Sequence, residues 1–342
     1  MSSEALFLSR PGVAFPDHLV DNAEIIARVE RHYRGPKSGF STIQSGIEKI
    51  FALCNSKERY LEDSLDARVA EYAARAARHC LEVNGTTFDD VDLLIHGGIP
   101  RQYFEPATAM EVADRLGISP GHALDVTAAC VGHIEAIHTA VAYMKMHPEY
   151  RTALITTAEL TYDYIDYDIQ EARDLKSKAA GLTIGNAAAA MLLRRRPFPQ
   201  GGIQIMSVDT HTAPAHWELC TAPIGGKFDS SSVELMRLGV LIPPVMKRNL
   251  EKLGLKATDI DHYVFHQPSE VMVRKILDDI GAGQERGVYT HHLYGNTASA
   301  AVGVTYHHLL QTQGIRPGAK VVLGSAAAGF TASMVTGTWT VG

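Results

Sequence analysis

Short apolar runs alternate with longer amphipathic ones along most of the chain, and the two kinds of run predict buried strands and helices. Val91 to Ile95, Ala123 to Ala129 and Thr152 to Ala158 are too continuously apolar for half-exposed strands and suit burial between layers. Leu65 to Val83 repeats Val69, Tyr72, Ala73, Ala76 and Cys80 at three-to-four spacing, as Val131 to Met146 does with Ile134, Ile137, His138, Val141 and Met144. Glu270 to Ile280 and the Ala-rich Ala300 to Leu310 read as further helices, and Ser230 to Leu253 as a helix interrupted near Pro243-Pro244. Such alternation predicts an α/β fold.

The pattern occurs twice. Asp92 before LLIHGG matches Asp261 before HYVFHQ, at an offset of 169 residues, and the same offset lays Thr152 to Ile155 on Val321 to Gly324 and Cys130 on Ser299. The adjoining Asp89-Asp90 matches Thr258-Asp259 in the same register. Beyond that, Leu182 to Leu193 pairs best with Phe330 to Thr340 at an offset near 148, so about 21 extra residues fall in the first half, in the Tyr- and Asp-rich stretch from about 160 to 180. This predicts two βαβαβαββ units, residues 1–197 and 198–342, with an insertion after the third strand of the first. With Tyr162, Tyr164 and Tyr167 among Asp163, Asp166 and Asp168, the insertion reads as a cover for a site or a contact with a second subunit.

Composition narrows the functions. In 342 residues, 46% hydrophobic and 20% charged, Lys plus Arg number 32 and Asp plus Glu 38, for a net charge of −6. No segment concentrates basic charge, so nucleic acid is not expected as a partner. The four cysteines have neither CxxC pairing nor zinc-like spacing and read as free thiols in a reducing compartment, so a cytoplasmic location is expected. No apolar run reaches the roughly 18 residues of a membrane span, and the start lacks a basic signal region, so no membrane association is expected. The pairs His291-His292 and His307-His308 lack the acidic or Cys pattern that would complete a metal site, and no metal is expected. Neither half has a Walker loop or a strand-linked GxGxxG.

Three residues could carry chemistry. Cys130 sits where a buried-type strand runs into a helix, so unpaired N–H groups and the helix dipole would favour its thiolate; a small packed cysteine fits the turn equally well. His266 ends the strand that precedes Gln267-Pro268-Ser269, at the position matching Gly97, and strand ends are where α/β sheets gather ligands. Asn296 lies in the turn Leu293 to Ser299, where it could also be a cap or turn residue. A pseudo-twofold duplication would bring all three to one interface, two donors beside a nucleophilic sulfur.

The run DVTAAC, the HQ after VF, the turn YGNTASA and the closing GSAAAGF, in this order, resemble the thiolase superfamily, in particular β-ketoacyl-acyl-carrier-protein synthase III and its relatives in specialised metabolism. The resemblance runs from PGVAFPDHLVDN to the end of the chain. It implies a five-layered αβαβα fold and a homodimer, with acyl-CoA or acyl-carrier-protein thioesters as substrates and no bound cofactor. Cys130 would take an acyl group from a thioester; a malonyl-type thioester would lose carbon dioxide and attack it, giving a 3-oxoacyl product in fatty-acid-like or polyketide assembly. His266 and Asn296 would hold the thioester oxygen of the second substrate, and backbone N–H groups of Cys130 and of Ala327 or Ala328 would form the oxyanion hole. Two alternatives stay open: transfer of the acyl group from Cys130 to a hydroxyl or amine, and a non-catalytic partner subunit.

The departures bear on the substrate. A Trp and an Arg that relatives place before a TGI-like motif, associated with the adenine end of coenzyme A, are Phe40 and Gln44 here, which keeps an aromatic platform and loses a cation. This turns the expectation from coenzyme A toward a carrier protein or another thioester. HQAN becomes HQPS, placing Ser269 near the site, and a GDGAGA-like strand start becomes Gly185 to Ala190 without its carboxylate. Phe104 and Glu105 lie on a loop that relatives direct toward the neighbouring subunit's acyl pocket, where either would limit acyl length or only pack the loop, and Trp217 is a second candidate pocket wall.

Overall fold

The computed structural model describes residues 5–88, 91–161 and 164–342, so Asp89 and Asp90 of the repeat and Tyr162 and Asp163 of the insertion lie outside the described residues. The chain opens with β1 (Phe7–Ser9), β2 (Gly12–Ala14), β3 (His18–Asp21), α1 (Asn22–His32), α2 (Lys37–Cys54) and β4 (Glu58–Leu61). The first α/β run is α3 (Val69–Asn84), β5 (Val91–His96), α4 (Thr108–Leu116), β6 (His122–Asp125), α5 (Gly132–Met146) and β7 (Thr152–Glu159), followed by α6 (Leu175–Lys178) and β8 (Ala187–Arg194). The second half contains β9 (Gly202–Thr212), β10 (Cys220–Thr221), β11 (Asp229–Ser230), α7 (Ser232–Leu238), α8 (Ile242–Lys252) and β12 (His262–Phe265). It ends with α9 (Glu270–Ile280), α10 (His291–Tyr294), α11 (Ala301–Thr312), β13 (Lys320–Ala327) and β14 (Thr331–Thr340).

Strand order repeats as the duplication requires. The first half runs β6-β5-β7-β8-β1 and the second, from its outer edge, β12-β13-β14-β9, with β5, β6 and β7 mutually parallel, as are β12 and β13. The halves join where β1 and β9 pair antiparallel, Phe7 opposite Gln204 and Ser9 opposite Gly202. The counterpart of β6 in the second half is reduced to one bridge between Tyr263 and Gly287. Its backbone is used otherwise: the Gln267 side chain donates to Val288 O and accepts from Thr290 N–H. The equivalence extends to hydrogen bonds. Asp92 accepts from Arg151 N–H at 2.6 Å and Asp261 from Lys320 N–H at 2.8 Å, the same pair displaced by the repeat.

Period-two burial explains the layers. Leu93, Ile95, Ala153 and Ile155 turn one way and, with Val264, Val321 and Leu323 of the other half, enclose α5 and α11. The alternate residues Leu94 and Leu154 pack outward on α3 and α4. Tyr263, Phe265 and Val322 pack on α8 and α9. The order is helices, sheet, α5 with α11, sheet, helices: the αβαβα arrangement. Helix α5 buries residues around most of its circumference because it lies between both sheets, whereas α9 presents one face, Val273, Ile276, Leu277 and Ile280.

Two local expectations change. The strand expected over 123–129 ends at Asp125, because the chain must leave the sheet to enter the Cys130 turn. The break in the 230–253 helix falls at Gly239–Leu241, before the prolines; Pro243 and Pro244 sit in the first turn of α8, where the missing N–H has no intrahelical partner to lose.

Candidate active site

The strand-to-helix junction that carries Cys130 is a tight turn, Ala129–Val131, entering α5. Ala129 holds φ 46°, and its counterpart in the repeat, Ala298 before Ser299, also holds φ 46°. Left-handed backbone costs a residue with a Cβ about 1–2 kcal/mol, so both turns are held by their surroundings. Gly97 and Gly132 supply part of that hold, since a Cβ on Gly132 would lie 2.2 Å from Gly97 O. From the second half, Ser325 Oγ donates to Cys130 O at 2.8 Å.

Cys130, His266 and Asn296 line one cavity of about 580 Å³ at the junction of the two halves. His266 leaves the end of β12, its N–H donating to Gly324 O at 2.9 Å. Asn296 stands in a turn whose backbone is tied to the first half, Asn296 N–H to Thr183 O at 2.9 Å and Gly185 N–H to Asn296 O at 3.0 Å. Gly295, at φ 64°, permits that approach, because a Cβ there would meet Thr183 O at 2.5 Å. Ala298 N–H donates to Asn296 Oδ1 at 3.0 Å, which fixes the amide and leaves Nδ2 as its free donor.

The ring of His266 lies between two acceptors, with Nε2 2.9 Å from Asn296 Oδ1 and Nδ1 3.1 Å from Ala326 O. Burial lowers the pKa of the ring, while both hydrogen bonds raise it; the net direction is down, so the ring is a neutral donor through one nitrogen at a time. Cys130 departs from the expectation of a thiolate. Its surface is only partly buried, yet its apolar surroundings push the thiol up, and Cys220 and Glu159 push the same way against the thiol's own backbone N–H. At the bottom of an apolar cleft, desolvation outweighs a helix terminus, and the resting sulfur is a thiol.

The remaining expected residues divide. Ala327 and Ala328 lie on the cavity wall, and so does Ser269, whose side chain accepts from Met272 N–H at 3.3 Å as the N-cap of α9. Phe40 and Gln44 do not reach the cavity. Phe40 follows the buried face of α2 with Ile43, Ile47 and Phe51, so it is core and no platform, and Gln44 donates to Glu48 at 2.8 Å. Phe104 is 79% exposed and Glu105 is exposed beside it; neither lines this chain's own cavity. Trp217 is 61% exposed and rests against Gly329, outside the cavity wall. Asn186, where relatives carry a carboxylate, accepts from Glu62 N–H and donates to Thr161, a brace at the start of β8.

Sequence reasoning missed Glu159 and Cys220, both on the wall, and Phe228 and Met236 from the β11–α7 segment. Glu159 closes an apolar strand and could have been noticed as a charge where none belongs. Cys220 carried no signal. The insertion contributes Tyr164 and α6 to the cavity wall. Among the described residues no group of His, Cys, Asp or Glu is arranged to hold a metal ion, and no helix is long and apolar enough to cross a membrane.

Comparison with known proteins places the chain in a family. The β-ketoacyl-[acyl-carrier-protein] synthase III of Rhizobium meliloti (strain 1021) is 29% identical over 341 residues, covering 96% of this chain and 97% of that protein. That of Chelativorans sp. (strain BNC1) is 26% identical over 340 residues, covering 96% and 97%. Among solved structures, OleA of Xanthomonas campestris with bound lauric acid and lauroyl-CoA superposes with a TM-score of 0.88 at 20% identity, covering 98% of this chain and 99% of that one. The 3-oxoacyl-(acyl carrier protein) synthase III of Pseudomonas aeruginosa PAO1 superposes with 0.84 at 21%, covering 98% of each, and both likenesses show the fold. The profile of 3-oxoacyl-[acyl-carrier-protein (ACP)] synthase III matches residues 124–214, across the Cys130 turn, and that of the C-terminal region of the same family matches residues 250–339, across His266 and Asn296. Spanning more than half of the chain between them, the two profiles and the full-length relatives show that the protein belongs to the 3-oxoacyl-[acyl-carrier-protein] synthase III family of the thiolase superfamily.

Proposed function

We propose that Cys130 is the acyl-accepting nucleophile of this condensing enzyme and that His266 and Asn296 stabilise the enolate it captures. The observation that carries the assignment is one cavity walled by all three, with the His266 ring held to the Asn296 side chain by the 2.9 Å contact from Nε2 to Oδ1. In the first half-reaction the thiol displaces a carrier thiol from an acyl thioester, and backbone N–H groups of Cys130 and of Ala327 or Ala328 hold the tetrahedral oxyanion. In the second, a malonyl-type thioester loses carbon dioxide; His266 Nε2–H turns from Asn296 Oδ1 to the thioester carbonyl oxygen and, together with Asn296 Nδ2–H, donates to it as charge moves there. The resulting carbon nucleophile attacks the acyl group, releasing Cys130 and a 3-oxoacyl thioester. A neutral imidazole suits this work, because it offers a hydrogen bond without an acid strong enough to quench the carbanion.

The donor is carried by an acyl-carrier protein in preference to coenzyme A. Supporting this, Phe40 is core and Gln44 is paired with Glu48, while the cavity wall includes exposed Leu53 and Val233. The product enters fatty-acid-like or polyketide assembly. A homodimer through the edge of β6 is supported by that strand's half-buried residues and by exposed Tyr103, Phe104 and Met110 nearby; light scattering at twice the chain mass tests it. Exposure to acyl-CoA and acyl-carrier-protein donors followed by intact mass measurement, then addition of malonyl thioesters, tests the chemistry. Acyl mass on Cys130 and a 3-oxo product are expected. Release of the acyl group only to alcohols or amines would establish the acyltransferase alternative, and a chain that never labels would establish a partner subunit.

A further inference from the structure

A carboxyl group in the wall of an apolar cavity needs a reason to be there, and Glu159 has two oxygens in different situations. Its side chain closes β7, is fully buried and lines the cavity with Cys130. Oε1 accepts from Ile99 N–H at 3.1 Å and from Ser299 Oγ–H. Ser299, the repeat counterpart of Cys130, also hydrogen-bonds Thr157, so this oxygen is fixed by the turn of the opposite half. Oε2 is buried and has no hydrogen-bond partner. An unpaired carboxyl oxygen in an apolar wall costs free energy, and nothing in the packing compensates for it.

We propose that Glu159 is the proton acceptor for Cys130 in acyl transfer, with Oε2 taking the thiol proton and returning it to the departing carrier thiol. The inference rests on the reading of Cys130 as nucleophile. As the sulfur attacks the thioester carbon, the S–H bond breaks and its proton passes to Oε2. As the C–S bond to the carrier breaks, the proton passes from Oε2 to the carrier sulfur. An acyl thioester and a thiol become an acyl-cysteine and a free carrier thiol, and Glu159 ends as the carboxylate it began as.

Electrostatics support the pairing. Burial first, then Cys220 and Glu159, push the Cys130 thiol up, so negative charges on Glu159 and on the Cys130 sulfur disfavour each other across the cavity wall. Burial pushes Glu159 itself up to about 7, while its hydrogen bonds to Ser299 and Ile99 pull down, so it exchanges protons in the neutral range where an acid–base group is most effective. The other titratable groups on the cavity wall are Cys54, Tyr164, Lys176, Cys220 and His266, and His96 lies on the neighbouring β5. Burial lowers His96 to about 4 and keeps it neutral.

The test compares two rates at Cys130 across pH 5.5–8.5: acylation by decanoyl-CoA and by decanoyl-acyl-carrier protein, and alkylation by iodoacetamide. In the unmodified protein, acylation should rise with pH through an inflection near 7. In Glu159→Gln it should fall at least tenfold and lose that inflection. Alkylation at pH 7 should become faster, since the charge holding the proton on sulfur is gone. Glu159→Asp should keep the inflection, and Ser299→Ala should move it to higher pH by removing a bond that favours the carboxylate. Acylation of Glu159→Gln within twofold of the unmodified protein would overturn the proposal. So would a parallel fall of both rates, which would make Glu159 a brace for the Ser299 turn. If the unmodified protein accepts no acyl group, the condensing reading fails separately, and alkylation decides: a rate unchanged in Glu159→Gln counts against the pairing.

Discussion

Replacing Asn296 by Ala separates the two half-reactions. The substitution removes Nδ2, the donor assigned to the enolate, and Oδ1, which accepts from Ala298 N–H at 3.0 Å and lies 2.9 Å from His266 Nε2. It leaves the backbone bonds to Thr183 and Gly185 in place, so the turn keeps its position. Losing one preorganised oxyanion donor costs about 10²–10³ in rate. The orphaned N–H of buried Ala298 adds a stability cost of about 1–3 kcal/mol, which a melting curve reads separately. Asn296→Asp is the control, because it keeps an acceptor for Ala298 N–H while placing charge against the enolate, and its condensation rate should fall at least as far. The assay is rapid-quench intact mass for acyl-Cys130 together with 3-oxo product formation from a malonyl thioester. Acylation should stay within about threefold in both variants while condensation drops about 10²–10³. If acylation falls as far as condensation, or if Asn296→Asp condenses normally, Asn296 is a turn residue and the donor assignment is wrong.

Gly132→Ala would set a Cβ 2.2 Å from Gly97 O; the Cys130 turn must shift, lowering stability by about 1–3 kcal/mol and slowing iodoacetamide alkylation of Cys130. Ser269→Ala removes the N-cap of α9 and should lower stability by about 1 kcal/mol in urea unfolding, with condensation within about twofold if Ser269 is a cap alone. Stability against pH offers a fourth check. Because the folded-state pKa of Glu159 is raised to about 7, the folded protein holds that proton more tightly than the unfolded chain. Its contribution is full below the unfolded value of about 4.3 and is lost as pH rises through 7. Relative to Glu159→Gln, the unmodified protein should lose roughly 3 kcal/mol between pH 4 and pH 8; parallel curves would place Glu159 in a solvated setting.

The layers and the repeat were legible because burial between layers leaves continuous apolar runs and because Asp92 and Asp261 brace equivalent strand starts. Cys130, His266 and Asn296 were legible by their places at element ends and by motif, and the cavity unites them. What could not be read depended on the far side of a helix or on another segment. Phe40 faces the core because Ile43, Ile47 and Phe51 share its stripe, a fact the motif alone hides. Cys220 sits on a two-residue strand with no periodic signal, and Glu159 acquires meaning only through Ser299, which lies 140 residues away. Trp217, conspicuous in the sequence, projects outward because the turn that bears it runs over the surface.

The most direct measurement of the central claim is single-turnover reaction of acyl-Cys130 enzyme with a malonyl thioester carrying ¹³C in its free carboxyl. One ¹³CO₂ should be released and one 3-oxoacyl thioester formed for each acyl group lost from Cys130, with no acyl mass on Cys130→Ala at the start. Loss of the acyl group without labelled carbon dioxide, or equal turnover by Cys130→Ala, would contradict that claim.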